Sequence, residues 1–203
     1  MEKTKYVFIG AGGHARVMSS VIESNHDELL AVFDANPAKH DLDGVKSEGE
    51  YKQNIHPEAK LIIAIGDNAV REQLSHNIKH TFGSAIHAKA VVDRLTNLGV
   101  GVQIVHGAVV NRGSSIGKHT IINTNATVDH DCQVGDFVHV APGATICGGV
   151  KIGNGTLVGA NATILPNCTI GKNVRIGAGA VVTKSIPDNV LAVGVPAKII
   201  QHG

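Results

Sequence analysis

The sequence predicts two units in series: a small parallel α/β unit over residues 1–83 and an all-β parallel solenoid over residues 84–203. Three observations lead there. Branched aliphatics recur every six residues without a break, from Val92, Leu98 and Ile104 through Val128, Val140 and Ile164 to Val182. Small or β-branched residues stand two positions before them, at Ala108, Ser114, Thr120, Ala126, Cys132 and onward to Ala180. Ahead of this register, three short apolar runs alternate with helical patterns, the order of a parallel sheet.

An α-helix cannot carry a six-residue repeat, because its apolar stripe recurs every 3.6 residues. Short strands joined by turns can. Two positions apart on a strand, the aliphatic and the small residue face the same inner side. With three hexads per coil, residues one full coil apart stack about 4.8 Å from each other. The stretch then makes roughly five coils.

Composition narrows the class. Among 203 residues, hydrophobics at 43% and charges at 17% describe a soluble globular chain, and aromatics at 3% suit a narrow core of Val, Ile and Ala. A net charge of +1 gives no electrostatic reason to bind nucleic acid. No apolar run is long enough for a membrane span, and the opening MEKTKYVFIGAGG lacks a signal-peptide pattern. Cys132 and Cys168 would lie two coils apart, about 10 Å, beyond disulfide reach. Cys147 lies on another side. A reduced, cytoplasmic chain is expected.

Taken in order, Lys5–Ile9 reads as a buried strand and Gly10 to His14 as a tight loop. A helix is expected over Ala15–Glu23, a strand over Leu29–Phe33 ending at Asp34, and a polar loop over Asn36–Gly44 containing Pro37. A short helix is expected near Glu48–Gln53, a third strand over Leu61–Ile65, and a helix over Ala69–Ile78. Around Thr81–Lys89 the pattern hands over to the coils. Gly10, Gly12 and Ala15, with Asp34 downstream, satisfy the dinucleotide fingerprint. Its physics is a phosphate held at a helix N-terminus, where glycines let the backbone come close. A full dinucleotide fold needs two such halves. Half a fold should hold one nucleotide.

On the coils, His130 follows Val128 by two places and points outward, between Asp129 and Asp131. A histidine beside a carboxylate is an acid–base arrangement; simple alternation puts both carboxylates opposite His130, and corners break alternation. One coil above His130 stands Gly148, which leaves room over the base and exposes an N–H suited to an oxyanion. His139 lies half a coil from His130, so the two share a site only if another subunit supplies one of them. Thr124, Pro142, Ala160 and Ala178 form a column whose upper members are small enough to admit a flat ligand arm.

GAGGHA, the later IAIGDN with Arg71, the hexads and the closing GVPAK together resemble the NeuD/PglD-type hexapeptide-repeat sugar acetyltransferases over nearly the whole chain. The resemblance implies a left-handed coil and homotrimers with active sites between neighbouring prisms. It implies acetyl-CoA as co-substrate and no metal. Gly12, Gly13 and His14 would contact phosphate or sugar, Asp34 and Ala35 the ribose and uracil, and Gly66 would line the pocket. His130 and Asp131 match the catalytic pair, His139 the thioester region, and Ala160, Ala178 and Lys198 the CoA arm. The function implied is acetyl transfer to an amino group of a nucleotide-linked deoxysugar, of the UDP-4-amino-4,6-dideoxysugar type. The alternatives are O-acetylation of sialic acid or a related sugar, a non-catalytic nucleotide-sugar binder, and a zinc carbonic anhydrase built on His106, His119, His130 and His139, whose spacing does not resemble that family's.

Overall fold

The computed structural model describes residues 3–36, 38–39 and 41–200; Pro37 lies outside them. The front unit runs β1 (Lys5–Ile9), α1 (Gly13–Ser24), β2 (Glu28–Phe33), β3 (Asp41–Leu42), β4 (Val45–Lys46), β5 (Lys60–Ile63) and α2 (Asn68–Ser75). β1 is the central strand of a three-stranded parallel sheet in the order β2-β1-β5. A central strand needs apolar residues on both faces. Phe8, Val32 and Ile62 pack under Ala15, Met18 and Ile22 of α1, whereas Val7, Ile9, Phe33 and Ile63 pack the opposite side with Leu74 and Ile78.

Two expectations fail in this unit. The polar loop over Asn36–Gly44 contains a strand, since β3 and β4 form a two-residue antiparallel ladder. The helix near Glu48–Gln53 does not form. Ser47 bridges to Val32, and the Glu48 N–H donates to the Val32 carbonyl at 2.8 Å. Tyr51 then sets its ring edge-on to Phe33 at 5.4 Å and its hydroxyl 2.8 Å from His80 Nδ1. Pairing at the sheet edge and burial of one aromatic outweigh a weak local helix preference.

The coils form a parallel β-helix with three faces. Val109 and Val110 pair with Val91 and Val92 below and Thr127 and Val128 above, the register of three hexads per turn. One face stacks six strands from Val91–Val92 to Val181–Val182, with Val91, Val109, Thr127, Thr145, Thr163 and Val181 pointing outward. A second stacks five, from Asn97–Leu98 to Thr169–Ile170. The third begins at Ala85–Ile86 and carries the front unit, and is called the seam face below. The series therefore starts one hexad earlier than the sequence register, at Ile86, and the solenoid is correspondingly longer. At the top, Ile170 pairs with Ile186 rather than with the residue a full coil on, and Arg175 pairs with Leu191. The last coil is short, and a strand at Leu191–Val193 with an antiparallel strand at Lys198–Ile200 closes it.

Inside the prism the aliphatics from Val102 to Ala192 form one continuous core. Buried hydroxyls at the small positions are satisfied within it. Ser114 donates to the Asp129 carbonyl at 2.6 Å, Thr120 to Gly135 at 2.8 Å and Thr156 to Gly171 at 2.8 Å. Each replaces a hydrogen bond to water that burial removes.

Candidate active site

β1 delivers the chain to Gly10, whose N–H donates to Phe33 O at 2.8 Å. Gly10 has φ +106°, and a Cβ there would lie 2.9 Å from the Ala64 carbonyl, so glycine is required. The loop opens α1 with Gly12 at the N-cap, no side-chain cap and no acidic residue in the first turn. Its N–H groups are left for an anion. Beside them is a cleft of about 600 Å³ lined by Gly12, Gly13, His14, Asp34, Ala35 and Gly66, with apolar walls from Ile9, Phe33, Ile65, Leu74 and Ile78. All six residues expected to touch the nucleotide-sugar therefore border one cavity.

Asp34 has a further job. Its Oδ2 accepts from the Ala11 N–H at 2.8 Å and its Oδ1 from Asn36 at 2.9 Å. Burial pushes its carboxyl up, but these N–H groups and the Lys39 ammonium, 3.2 Å away, outweigh it, and the group titrates below its ordinary range. Lys39, absent from the residues expected at the site, puts its ammonium 3.4 Å from the point where a side chain on residue 12 would begin. A cation thus stands over the glycine loop.

The inner end of the cleft meets the seam face. His14 Nε2 is 2.8 Å from Gln103 Oε1, and Gln103 Nε2 donates to the Ile63 carbonyl at 3.0 Å. His139, whose ring centre is 6.3 Å from that of His14, has both nitrogens occupied within the chain. Its Nδ1 donates to the Gly66 carbonyl at 3.2 Å, and its Nε2 accepts from Asn123 Nδ2 at 3.0 Å. Burial, with His14 and Arg71 nearby, lowers its pKa to about 4. Arg71 is fully buried and spans the seam, donating to Ile65 and Gly66 on one side and to His119, Phe137 and Val138 carbonyls on the other. Burial lowers its pKa to about 10, so it stays charged at neutral pH.

His130 is elsewhere. It occupies the corner between the valine–threonine face and the second face, opposite the seam face of its own chain. Asp131 takes the left-handed conformation, φ 58°, and this turn swings its carboxylate back so that Oδ2 accepts from His130 Nδ1 at 2.9 Å. Asp129 is held by Asn111 at 2.8 Å and by the His130 N–H at 2.8 Å, with Oδ2 3.9 Å from Nε2. Of the two carboxylates, Asp131 is the one hydrogen-bonded to the imidazole. The Asp131 hydrogen bond and then the charge of Asp129 raise the His130 pKa above its usual value. A Cβ on Gly148 would lie 2.5 Å from His130 Nε2. Among the described residues the Gly148 N–H donates to no group.

Ala160 and Ala178 lie with Thr124 and Pro142 at the corner between the seam and valine–threonine faces, linked by Asn161 N–H to Pro142 O at 2.9 Å and Gly179 N–H to Ala160 O at 2.8 Å. Lys198 is exposed on the closing strand Lys198–Ile200 at the top of the seam face. The valine–threonine face thus separates the small column from the His130 corner. His106 bonds Ser20 at 3.0 Å and His119 stacks on Phe137 at 5.1 Å. Among the described residues no three His, Cys, Asp or Glu side chains converge as a metal site would require, and no helix is long and apolar enough to cross a membrane.

Gln103 and Arg71 escaped identification as site residues for a physical reason. On a strand, a polar outward residue reads as solvent-facing, and only the docked front unit turns Gln103 into a fully buried one. Lys39 carried a weak signal, a lone cation after the strand that ends at Asp34.

Comparison with known proteins adds to this geometry. Residues 5–78 match the PglD N-terminal domain model, and residues 113–148 and 149–184 each match the bacterial transferase hexapeptide (six repeats) model. A perosamine N-acetyltransferase from Caulobacter crescentus, solved as a histidine-to-asparagine mutant with CoA and GDP-perosamine, is 38% identical, with a TM-score of 0.93 over 98% of this chain and 97% of that one. The acetyltransferase domain of PglB from Neisseria gonorrhoeae FA1090, solved with acetyl coenzyme A, is 31% identical, with a TM-score of 0.89 over 98% and 100%. UDP-N-acetylbacillosamine N-acetyltransferase of Bacillus subtilis is 37% identical over 106 residues, 48% of this chain and 49% of that protein. That match spans about half the curated relative's length.

Proposed function

The chain belongs to the hexapeptide-repeat nucleotide-sugar N-acetyltransferases, and from that premise we propose that it moves an acetyl group from acetyl-CoA to the amino group of a nucleotide-linked amino-deoxysugar. The observation that carries the proposal is the His130 corner, where Nδ1 is tied to Asp131 at 2.9 Å and Nε2 faces Gly148. Acetyl-CoA supplies the thioester carbonyl. His130 Nε2 takes the proton from the amine nitrogen as that nitrogen attacks. Asp131 supports the imidazolium through Nδ1, and the Gly148 N–H hydrogen-bonds the oxygen of the tetrahedral intermediate. When the C–S bond breaks, the imidazolium proton goes to the departing sulfur.

Residues 1–83 hold the nucleotide-sugar and residues 84–203 carry the transfer chemistry. Gly12 and Gly13 at the bare N-terminus of α1, with Lys39, bind the diphosphate. Asp34 and Ala35 meet the ribose and base, and His14 and Gly66 the sugar. His139 borders the thioester, and Ala160, Ala178 and Lys198 line the CoA arm. The small column fits such an arm because its upper members project only a methyl group.

The pocket and the base lie on opposite sides of one prism, so a neighbouring chain completes the site. The working form is a homotrimer. Support comes from the outward ladder Val91, Val109, Thr127, Thr145, Thr163 and Val181, which is uncharged and lies between the two corners that must meet. A cytoplasmic location fits this reading, since the three cysteines are free thiols and the donor is a coenzyme A thioester.

The test is to follow thiol release from acetyl-CoA with UDP- and GDP-linked 4-amino-4,6-dideoxysugars and with sialic acid. Release with a nucleotide-linked amine is expected. Turnover of sialic acid alone would overturn N-acetylation.

A further inference from the structure

Two histidines face each other across the seam, and their wiring differs. His139 has no ring nitrogen left: Nδ1–H goes to the Gly66 carbonyl and Nε2 receives Asn123. Among the described residues His14 is bonded at one nitrogen only, Nε2, by Gln103. The second partner of Gln103 sets the direction of that bond. Gln103 lies fully buried on the seam face, and its Nε2 reaches the Ile63 carbonyl, a pure acceptor. The amide nitrogen is therefore on that side and Oε1 faces His14. An amide oxygen only accepts, so His14 Nε2 must carry the hydrogen. Neutral imidazole has one N–H, which leaves Nδ1 as a lone-pair acceptor on a ring that lines the nucleotide-sugar cleft.

We propose that Gln103, contributed by the coils, is a positioning residue that locks His14 as the neutral Nε2–H tautomer, so that Nδ1 accepts a hydrogen bond from a hydroxyl or neutral amine on the sugar. The inference rests on the nucleotide-sugar reading of the cleft. It assigns the sugar end of the cleft to an acceptor and the diphosphate end to donors, the α1 N–H groups and Lys39. A phosphate oxygen finds no donor on this face of His14, whereas a sugar O–H finds an acceptor. The assignment narrows the expectation that His14 contacts phosphate or sugar to the sugar alone.

The surroundings hold the neutral form. The groups facing His14 are Arg71 from α2, with His139 and Gln103 from the seam face. Burial lowers the His14 pKa and Arg71 adds to this, against the raising effect of the Gln103 bond. None of the three is an anion that would favour imidazolium. Replacing the amide by a carboxylate, as in Gln103→Glu, reverses that logic: the new anion would attract a second proton to the ring, turning Nδ1 into a donor.

The experiment uses the full-length protein and two readouts. Side-chain 1H–15N correlation spectra, with His14 assigned by its loss in His14→Asn, are recorded from about pH 8 to about pH 6. The expected wild-type signal is the neutral Nε2–H tautomer throughout. An Nδ1–H tautomer, or titration in that window, overturns the proposal without reference to any substrate. In kinetics with GDP- and UDP-linked 4-amino-4,6-dideoxysugars, Gln103→Glu should raise the KM for the sugar nucleotide on the order of tenfold at neutral pH. That increase should shrink as pH rises, and the KM for acetyl-CoA should stay within about twofold. Gln103→Leu should raise the same KM with no such pH dependence. Unchanged sugar-nucleotide KM in both variants overturns the positioning role even if acetyl transfer is real. Absence of turnover with every amine in wild type removes the acetyl-transfer reading, and the spectra then still decide the tautomer.

Discussion

The His130 corner and the His14–His139 seam use one residue type in opposite ways. His130 is exposed, flanked by two carboxylates and raised in pKa. His139 is enclosed by amides, carbonyls and a guanidinium, and its pKa falls to about 4. A base needs a nearby anion to support its charged form; a recognition element needs a fixed neutral tautomer. In the proposed reading the contrast separates chemistry from recognition within each chain. Because the two regions lie on opposite sides of one prism, the proposed site is assembled from two chains.

Substitutions can break this division, and the largest effect is expected at the corner. His130→Asn removes the base and should lower kcat/KM by about 10²- to 10⁴-fold, with the thermal transition unchanged because the side chain is exposed. An unaffected rate would return the base role to another group. Gly148→Ala forces a methyl into the space of Nε2 and should lower kcat by roughly 10²-fold, while KM for the sugar nucleotide holds. Equal loss in KM would mean the glycine serves binding instead.

Asp131→Asn tests the sign of the electrostatics. The base works when neutral, so activity rises with pH through the His130 pKa, which Asp131 holds above the usual 6.5. Removing the carboxylate lowers that pKa. The acid limb of the kcat profile should move to lower pH while the plateau drops, by about tenfold. A limb that stays in place would assign the support to Asp129.

At the seam, Arg71→Met leaves the carbonyls of Ile65, His119 and Phe137 without their donor and takes one of two donors from those of Gly66 and Val138. Stability should fall by roughly 2–4 kcal/mol in chemical unfolding, with kcat/KM of the remaining folded enzyme reduced less than at the corner. The smallest effect is expected at Lys39→Ala, a partly exposed cation. It should raise the KM for the sugar nucleotide about five- to tenfold and leave the KM for acetyl-CoA alone.

How much of this was legible in the sequence follows from how far each contact reaches. The solenoid was readable because a hexad decides its own fate: every buried aliphatic and small residue repeats locally, and pairing joins residues one coil apart. Even the early start at Ile86 continues that register. The same register singles out His130 as an outward histidine, and the family resemblance puts Asp131 beside it, but alternation by itself cannot choose between the two carboxylates, since the positive φ of Asp131 is a property of the corner. Glu48–Gln53 went wrong where a distant strand edge claimed the segment. Gln103, Arg71 and Lys39 depend on what packs over them, and Gln103 meets a histidine 89 residues away. Polar residues buried by docking look like surface in a one-dimensional reading.

The central claim is that one chain's pocket is served by another chain's His130. It is tested by co-refolding two inactive variants at equal amounts, His130→Asn and a pocket variant. Gly13→Asp suits the second role, because a side chain there meets nothing within 4 Å and its carboxylate would repel the diphosphate. Each chain alone should be nearly inert. If the site spans two chains, about a quarter of the sites in the mixture pair an intact pocket with an intact corner, and acetyl transfer should recover to about that fraction of the wild-type rate. Recovery no greater than the sum of the two separate variants would contradict the claim and return both halves of the site to a single chain.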